Sequence, residues 1–249
     1  SFNGDISTWD VSSVSNMQGM FVGASSLSEE NKCAIHTSFS SNTNWPYDWS
    51  EFCPAVFNSC GDDIGHEGYN YNTVQIGEQC WFSENCRYLP SVSPSSDGSG
   101  TEPYYYVYDY QGTDVGAAQA TDNYETYGVL YNWPAVMTEG LCPSGWHIPS
   151  DGEFTELTDY LGGESVAGDA MKDNIEWNGS NSSGFTGLPG GYCYTQINGF
   201  SHNGDSGFFW SSSEYGTNSW GRTLSGSYGI VTRENYNHGF DFSARCLQD

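Results

Sequence analysis

Residues 140–163 read Gly-Leu-Cys-Pro-Ser-Gly-Trp-His-Ile-Pro-Ser-Asp-Gly-Glu-Phe-Thr-Glu-Leu-Thr-Asp-Tyr-Leu-Gly-Gly, and they contain the clearest helix signal of the chain. Ser150 is a candidate N-cap, and Glu153 three residues later completes the pattern of a capping box. One face at helical spacing is apolar: Phe154, Leu157, Tyr160 and Leu161. Gly162-Gly163 supplies the left-handed conformation that ends many helices. We therefore predict an amphipathic helix that begins at Ser150 and ends before Gly162-Gly163.

The composition limits the classes of function. Aromatic residues reach 16% while hydrophobic residues total 37%, so we expect a core built from Tyr, Trp and Phe more than from aliphatic side chains. Six basic residues face 31 acidic ones, and the net charge is −25. This balance argues against nucleic-acid binding, which needs Lys and Arg at the phosphates, and against anionic membrane surfaces. No apolar run approaches the length of a membrane span.

The signature segment also carries a family resemblance. Residues 142–149, then a helix, then Gly162-Gly163 resemble the signature of the Fibrobacter succinogenes major paralogous (FISUMP) domain. Further pieces of that pattern occur in order: 73–81, 127–133, Ala167-Gly168, Met171-Lys172, Trp177, 183–185, 188–191, 209–213, Trp220 with Arg222, and Arg245-Cys246. The resemblance covers about residues 57–249. It implies a bacterial surface or secreted protein without agreed catalytic residues.

The resemblance also implies a fold class. FISUMP domains are thought to resemble the C-type-lectin and formylglycine-generating-enzyme group. We therefore expect an α+β protein: an irregular, disulfide-stapled, C-type-lectin-like domain with short antiparallel strands and two short helices. A small N-terminal repeat module precedes it.

The N-terminal module resembles one unit of the BspA-type repeat of bacterial and mycoplasmal surface proteins. The matching residues are Phe2, Asn3, Asp5, Ile6, Trp9, Val11, Val14, Asn16, Met17, Met20, Phe21 and Ala24. Such units normally stack into a solenoid. Residues 27–53, with a short helix opening at Ser28, read as a closing segment. We therefore divide the chain into a repeat module, residues 1–56, and a FISUMP-like domain, residues 57–249.

Eight cysteines without a Cys-x-x-Cys pair predict an oxidised, extracellular chain. We pair Cys33 with Cys53, which bracket the closing segment. Cys60 and Cys80 would staple a hairpin made of a strand over 69–76 and a second strand at 80–82, and Cys142 with Cys246 would tie the signature loop to the last strand. Cys86 and Cys193 then remain as the fourth pair, although spacing alone does not fix connectivity.

No catalytic set can be assembled from the sequence. Residues 204–207, Gly-Asp-Ser-Gly, resemble the nucleophile loop of chymotrypsin-like proteases, but the histidine context of those enzymes is missing. A Gly-rich turn explains the motif better. His147 beside Trp146 fits a hydrogen-bonded structural group better than a base or a metal ligand. We expect neither an enzyme nor a resident cofactor.

Two kinds of non-catalytic site are candidates. Oxygen donors at Asp62, Asp63 and Glu67 make calcium a secondary interpretation, but they lack EF-hand spacing, and solvated acidic loops explain them better. Asn178 and Asn181 begin two N-glycosylation sequons in a polar loop. Exposed aromatic side chains would also suit glycans as partners.

These observations predict an extracellular structural or adhesive protein at the cell surface. The repeat has eight apolar residues for assembly: Phe2, Ile6, Trp9, Val11, Val14, Met17, Met20 and Phe21. Residues 27–53 cover one side of a unit that needs neighbours on both. We expect the other side to dock head-to-tail on another copy, as in strand-donation pili, and to form a filament. Two alternatives remain open: further repeats precede Ser1, or the domain is a carbohydrate-binding module.

Overall fold

A computed structural model of the chain describes residues 2–53, 58–197 and 199–249. The chain divides into two compact units, Ser1–Val56 and Phe57–Asp249. The predicted boundary between residues 56 and 57 lies outside the described residues. Each unit has a hydrophobic core of its own.

Residues 2–28 of the first unit are built from turns rather than from helices or strands. Three of these turns repeat one pattern, in which an Asp or Asn side chain accepts the backbone N–H two residues later: Asp5 from Ser7, Asp10 from Ser12, and Asn16 from Gln18. Such Asx turns replace a backbone partner with a short polar side chain. The residue inside each turn is buried: Ile6, Val11 and Met17. The repeated pattern therefore aims one apolar side chain inward at each turn.

Helix α1, Glu29–Phe39, covers these inward side chains. Ser28 caps it by accepting the N–H of Asn31, as the sequence predicts. Ile35 and Phe39 are fully buried and form the core of the unit with Ile6, Val11, Met17 and Leu27. A 3-10 turn at Ser50–Phe52 follows, and the Cys33–Cys53 disulfide joins this region to α1.

The second unit is rich in short strands. They are β1 Ile64–His66, β2 Tyr69–Tyr71, β3 Thr73–Ile76, β4 Gln79–Phe82, β5 Tyr105–Tyr106, β6 Leu130–Asn132, β7 Trp146–His147, β8 Gly190–Tyr194, β9 Gly199–Asn203, β10 Ser206–Tyr215, β11 Asn218–Ser225, β12 Val231–Asn237, β13 Asp241–Phe242 and β14 Leu247–Gln248. The helices are α2 Val115–Gln119, α3 Asp122–Tyr127, α4 Trp133–Val136, α5 Asp151–Tyr160 and α6 Ala167–Met171, with a 3-10 turn at Thr195–Ile197.

The described strands form three sheets. Strands β1 and β2 make a hairpin, and a four-stranded sheet has the order β3-β4-β14-β7. The large sheet runs β12-β11-β10-β8-β13-β6-β5, with β9 paired to β8. Strand β14 lies between β4 and β7, so the last residues of the chain join the signature segment to residues 79–82. The unit is therefore a strand-rich α+β domain, and its likeness to C-type lectins stays a prediction. Its described residues form five short helices rather than the two predicted, and β8 pairs with β10 in parallel rather than antiparallel.

The signature helix α5 has the predicted capping box between Ser150 and Glu153. Phe154 and Leu157 are fully buried, but Tyr160 is 67% exposed, which corrects its predicted place on the buried face. The Tyr160 ring instead covers Gly77 in the β3–β4 turn, where φ is +63° and an added Cβ would lie 3.0 Å from the ring. Both the positive φ and the ring contact favour glycine at this position.

The prediction of one strand over residues 69–76 is also wrong. The chain breaks at Asn72 into β2 and β3, which belong to different sheets. The backbone N–H and the side-chain amide of Asn72 both donate to Glu84 at 2.9 Å. The backbone N–H therefore satisfies its hydrogen bond with a side chain rather than with a neighbouring strand.

Aromatic side chains dominate the interior of the second unit, as the composition predicts. The larger core cluster centres on Trp210, Phe242 and Tyr131. A second cluster packs α5 and α6 against the sheets through Trp81, Phe154, Phe185 and Phe209.

Candidate functional site

The eight predicted assembly residues divide between the two sides of the N-terminal turns. Ile6, Val11 and Met17 are buried under α1, and Phe21 packs partly buried against this core. The other four are exposed: Phe2, Trp9, Val14 and Met20. The structure therefore leaves one side of the predicted set open.

Most of the exposed members line a groove of about 280 Å³, here called the N-terminal groove. Its lining is Phe2, Ile6, Trp9, Met20, Phe21, Val22, Gly23 and Ala24. Trp9 is 59% exposed and Val22 87%. The lining has no charged side chain although the chain has a net charge of −25. An uncharged apolar surface of this kind is typical of an interaction site.

Strand donation by this segment stays a prediction. No strand occurs among residues 2–53, the part of the first unit that the structure describes. The Asx turns bend the chain at each repeat, so it presents no extended edge of N–H and C=O groups. In this conformation, docking through the N-terminal groove uses side-chain contacts rather than β pairing.

The second unit exposes three apolar side chains on segments in or beside α6, and this set is here called the α6 patch. It consists of Val166, Tyr228 and Ile230, all exposed. Backbone hydrogen bonds hold the two segments together: Gly168 donates to Gly229 at 2.9 Å, and Val231 donates to Glu164 at 2.7 Å. The three side chains therefore lie on adjoining segments of one surface.

A different groove, of about 430 Å³, crosses the large sheet and is called the sheet groove. Buried Phe208 and Phe242 and the partly buried rings of Tyr192, Tyr236 and Phe240 line it, together with His202, Thr223, Thr232 and Glu234. The Tyr192 and His202 rings stack with centroids 5.2 Å apart. The Tyr236 hydroxyl lies 2.8 Å from Thr223 Oγ1 and donates to Glu234 at 3.2 Å. Burial raises the pKa of Tyr236 to about 12, so this hydroxyl keeps its proton at neutral pH.

His147 is hydrogen-bonded through both ring nitrogens, which agrees with the predicted structural role. Its two ring nitrogens lie 2.7 Å from Asp249 Oδ1 and 3.0 Å from Glu153 Oε1. Burial lowers the pKa of this imidazole, but the hydrogen bonds to Asp249 and Glu153 outweigh it and raise the pKa above its ordinary value. His147 therefore links strand β7, helix α5 and the end of the chain.

Asp151, the first residue of α5, binds two arginines. Its carboxylate accepts from Arg222 Nη1 at 2.8 Å and from Arg233 Nε and Nη2 at 2.9 and 2.7 Å. Arg222 is 1% exposed, and the Arg233 guanidinium lies 3.8 Å from the centre of the Trp220 ring. This cluster joins α5 to β11 and β12, and its cations are matched by Asp151 and by main-chain oxygens, so it serves the fold.

The structure contains the disulfides predicted for Cys33–Cys53, Cys60–Cys80 and Cys142–Cys246. It corrects the fourth pair, because Cys86 and Cys193 are free and buried. They lie in different core clusters: Cys86 beside Cys246 in the main core, and Cys193 with Tyr106 and Leu130. Counting an even number of cysteines could not reveal this separation.

Asp241 is a buried acid that the sequence analysis missed. It is 1% exposed, and neither carboxylate oxygen has a hydrogen bond of good geometry among the described residues. It pairs with Cys193 across β13 and β8, and that thiol is the neighbouring group that favours its ionised form. Burial dominates and raises the pKa of Asp241 well above its ordinary value. No local sequence signal marks a strand Asp as buried.

The calcium candidates do not converge on one site. Asp62 turns its carboxylate to the backbone N–H groups of Asn58 and Ser59. No group of three His, Cys, Asp or Glu side chains able to hold a metal ion occurs in residues 2–53, 58–197 or 199–249. Asp63 and Glu67 lie in the adjoining loop and hairpin without joining such a group.

Both predicted glycan acceptors are engaged in hydrogen bonds. Asn178 Nδ2 donates to the Gly226 carbonyl at 2.5 Å, and its amide oxygen accepts from Lys172 Nζ at 3.2 Å. Asn181 Nδ2 donates to Thr186 Oγ1 at 3.1 Å. A glycan on either nitrogen would have to replace these contacts.

No helix among the described residues is long and apolar enough to cross a bilayer.

Comparison with known proteins agrees with the division into two units. Residues 1–47 match a family described as a Mycoplasma protein of unknown function, DUF285, rather than the BspA-type repeat that the sequence resembles. No curated protein and no solved structure matches the chain. Residues 74–248 match the Fibrobacter succinogenes major domain, and this match spans more than half of the 249 residues. The chain therefore belongs to the Fibrobacter succinogenes major domain family.

Proposed function

We propose that the chain is a structural protein of the cell surface whose copies join head-to-tail into filaments. The family suggests a surface or secreted protein, and three disulfides are compatible with an extracellular one. The observation that carries the assembly proposal is the N-terminal groove, an uncharged apolar surface on a strongly acidic chain.

The groove has the features of a docking surface. Trp9 stands exposed beside Phe2 and Met20, and aromatic side chains with Met are enriched at protein interfaces. A large aromatic ring that enters a partner's surface is the commonest kind of interface anchor. We therefore assign Trp9 the role of anchor and its neighbours the role of excluding water.

The α6 patch of the next copy is the proposed partner surface. Val166, Tyr228 and Ile230 are exposed together. A contact between two different surfaces of identical chains is head-to-tail, and its repetition produces a filament unless the rotation closes a ring. The high negative charge opposes association, and salt screens this repulsion because the Debye length falls from about 10 Å at 0.1 M to about 3 Å at 1 M. Assembly should therefore strengthen with ionic strength.

The test uses one variant for each surface. Trp9→Ser with Met20→Ser disables the groove, and Val166→Ser with Ile230→Ser disables the α6 patch. Each double variant alone should stay monomeric in light scattering and show no filaments by electron microscopy. Loss of an aromatic anchor typically costs at least about 2 kcal/mol, which is roughly 30-fold in affinity. Met137→Ser, which alters an exposed methionine outside both surfaces, is the matched control and should assemble normally.

Mixing the two double variants distinguishes the forms of assembly. A head-to-tail contact predicts that the intact groove of one variant binds the intact patch of the other, giving dimers that cannot grow. If the groove binds a second groove instead, the patch variant alone will dimerise. Wild-type chain that stays monomeric at high concentration and 1 M salt refutes assembly.

A second function, carbohydrate binding by a lectin-like fold, is favoured by the sheet groove. Its aromatic rings suit the apolar faces of sugar rings, and Glu234, His202 and the threonines offer hydrogen bonds for hydroxyl groups. A glycan array tests it with the Trp9→Ser/Met20→Ser variant, whose N-terminal groove is disabled and which should be monomeric. Binding that is lost in Glu234→Gln and kept in Glu214→Gln would support this function. Glu214 lies on β10 outside the lining of the sheet groove and is the matched control. An empty array would contradict it.

A further inference from the structure

The main core of the second unit holds a free thiol in contact with a disulfide. Cys86 Sγ lies 3.5 Å from Cys246 Sγ, and Cys246 is bonded to Cys142. Reacting atoms about 3–3.5 Å apart are within the range of a near-attack arrangement. Three sulfur atoms that lie so close together allow a disulfide to change partners without the chain unfolding.

The backbone holds the two reacting segments in place. The Cys86 N–H donates to the Ala244 carbonyl at 2.9 Å, and the Phe82 N–H donates to the Cys246 carbonyl at 2.9 Å. Residues 82–86 and 244–246 therefore run side by side in opposite directions, with Phe82 opposite Cys246 and Cys86 opposite Ala244. The side chains of Cys86 and Cys246 bridge this offset, since their sulfur atoms lie 3.5 Å apart.

A buried cation lies next to this cluster. Arg245 is fully buried, and its guanidinium donates to the carbonyls of Phe82, Phe185 and Thr186 and to Asn85 Oδ1. These partners are all neutral, so the positive charge of the guanidinium is not cancelled by a hydrogen-bonded acid. It favours a negative charge on the neighbouring Cys86 sulfur.

The remaining groups around Cys86 oppose its ionisation. Burial dominates and raises the pKa of the thiol to about 12, Arg245 lowers it, and the Glu84 carboxylate raises it. Tyr71 and Tyr131 also face the thiol and stay protonated, since burial raises the pKa of each. The thiolate is therefore a rare species at neutral pH, and exchange is slow but accelerates with pH.

We propose that Cys86 exchanges with the Cys142–Cys246 disulfide and thereby makes Cys142 a modifiable thiol at the surface. The Cys86 thiol loses its proton, its sulfur bonds to Cys246 Sγ, the Cys142–Cys246 bond breaks, and Cys142 Sγ leaves as a thiolate that takes up a proton. The number of thiols and disulfides is unchanged, so no oxidant or reductant is consumed.

The product differs from the starting state in where its free thiol lies. Cys86 is 1% exposed, whereas Cys142 is only partly buried and lines a pocket of about 470 Å³ with Pro143, Trp146 and Ile148. A thiol at this pocket is open to soft electrophiles and to small disulfides. The loop that carries Cys142 then loses its covalent tie to Cys246, the residue before β14, and keeps the β7–β14 pairing and the His147–Asp249 contact.

Alkylation and peptide mapping test the proposal. Native protein without reductant is treated with N-ethylmaleimide at pH 7, 8 and 9, and modified cysteines and disulfide-linked peptides are identified by mass spectrometry. We expect maleimide on Cys142 together with a Cys86–Cys246 linked peptide. The rate should rise about tenfold from pH 7 to pH 8, because the thiolate fraction does so below the pKa. The rise to pH 9 should be smaller, because burial lowers the pKa of Arg245 to about 9 and its favourable charge is then partly lost.

Two variants separate exchange from simple opening of the core. Cys86→Ala should remove the labelling of Cys142, and Cys193→Ala, which deletes the other buried thiol, should leave it unchanged. Maleimide on Cys86 with an intact Cys142–Cys246 bond would overturn the proposal. Equal labelling of Cys142 in Cys86→Ala would do the same. If Cys86→Ala fails to fold, the linked peptides of the wild-type protein alone decide the outcome.

Discussion

Removal of the Asp151 carboxylate is expected to destabilise the second unit strongly. This carboxylate is the acidic partner of Arg222, which is 1% exposed, and also of Arg233, whose side chain is 37% exposed. Asp151→Ala would leave a buried guanidinium without an anion, although Thr155 Oγ1 and the main-chain oxygen of residue 151 would still accept from it. Breaking a buried pair in this way costs about 3–5 kcal/mol, and we expect the lower half of this range.

Arg233→Gln is the matched control. It removes the exposed partner of the same carboxylate, and exposed ion pairs contribute only about 0–1 kcal/mol. The double variant Asp151→Ala/Arg222→Met removes both members of the buried pair. It should be more stable than Asp151→Ala alone, because an apolar side chain no longer leaves a buried charge unpaired.

Urea unfolding at pH 7 with intact disulfides measures these differences in the free energy of unfolding. The reasoning fails if Asp151→Ala costs no more than Arg233→Gln, or if Arg222→Met adds its own full cost to that of Asp151→Ala. Either result would mean that water reaches Arg222 or that the guanidinium finds another partner.

The pH dependence gives a second readout for Asp151. Burial raises its pKa, but the hydrogen bonds from Arg233 and Arg222 outweigh burial and hold the pKa below the ordinary 3.8. A lowered folded-state pKa stabilises the fold above the unfolded value, and this stabilisation is lost as the pH falls through the folded value. The gap between wild type and Asp151→Ala should therefore be complete at pH 7 and shrink below about pH 4.

Three further predictions concern single side chains. Ser150→Ala should lower the free energy of unfolding by about 1 kcal/mol through loss of the α5 cap; an unchanged urea midpoint would contradict this. His147 has a raised pKa, so the stability that its contacts with Asp249 and Glu153 contribute should be complete below pH 6.5. The melting temperature should then fall as the pH rises through the folded-state pKa of His147, and His147→Gln should abolish this fall. Asp241 also has a raised pKa, so the fold loses stability as the pH rises from 3.8 towards the folded-state pKa of this carboxyl. Asp241→Asn removes this loss and should melt at a higher temperature than wild type at pH 7. A lower melting temperature would show that the carboxylate has a partner.

The sequence alone determined the features that depend on neighbouring residues. The α5 capping box and the Ser28 cap of α1 follow from side chains within three residues of each helix start, and the structure has both. The aromatic core followed from composition, and the order of motifs along about residues 57–249 indicated the family, which the match over residues 74–248 confirms. The caps can be predicted because the interacting groups are close in sequence. The aromatic core can be predicted because composition does not depend on the position of each residue.

Tertiary structure decided which distant residues meet. The strand predicted over 69–76 divides because Glu84, twelve residues after Asn72, takes the backbone N–H of Asn72. Tyr160 leaves the apolar face because Gly77, on another element, offers its ring a surface. Cys86 lies beside Cys246 rather than Cys193 because β14 and the residues before it return to β4 at the end of the chain. The residues of the sheet groove come from several strands of one sheet, so strand order rather than sequence spacing places them together.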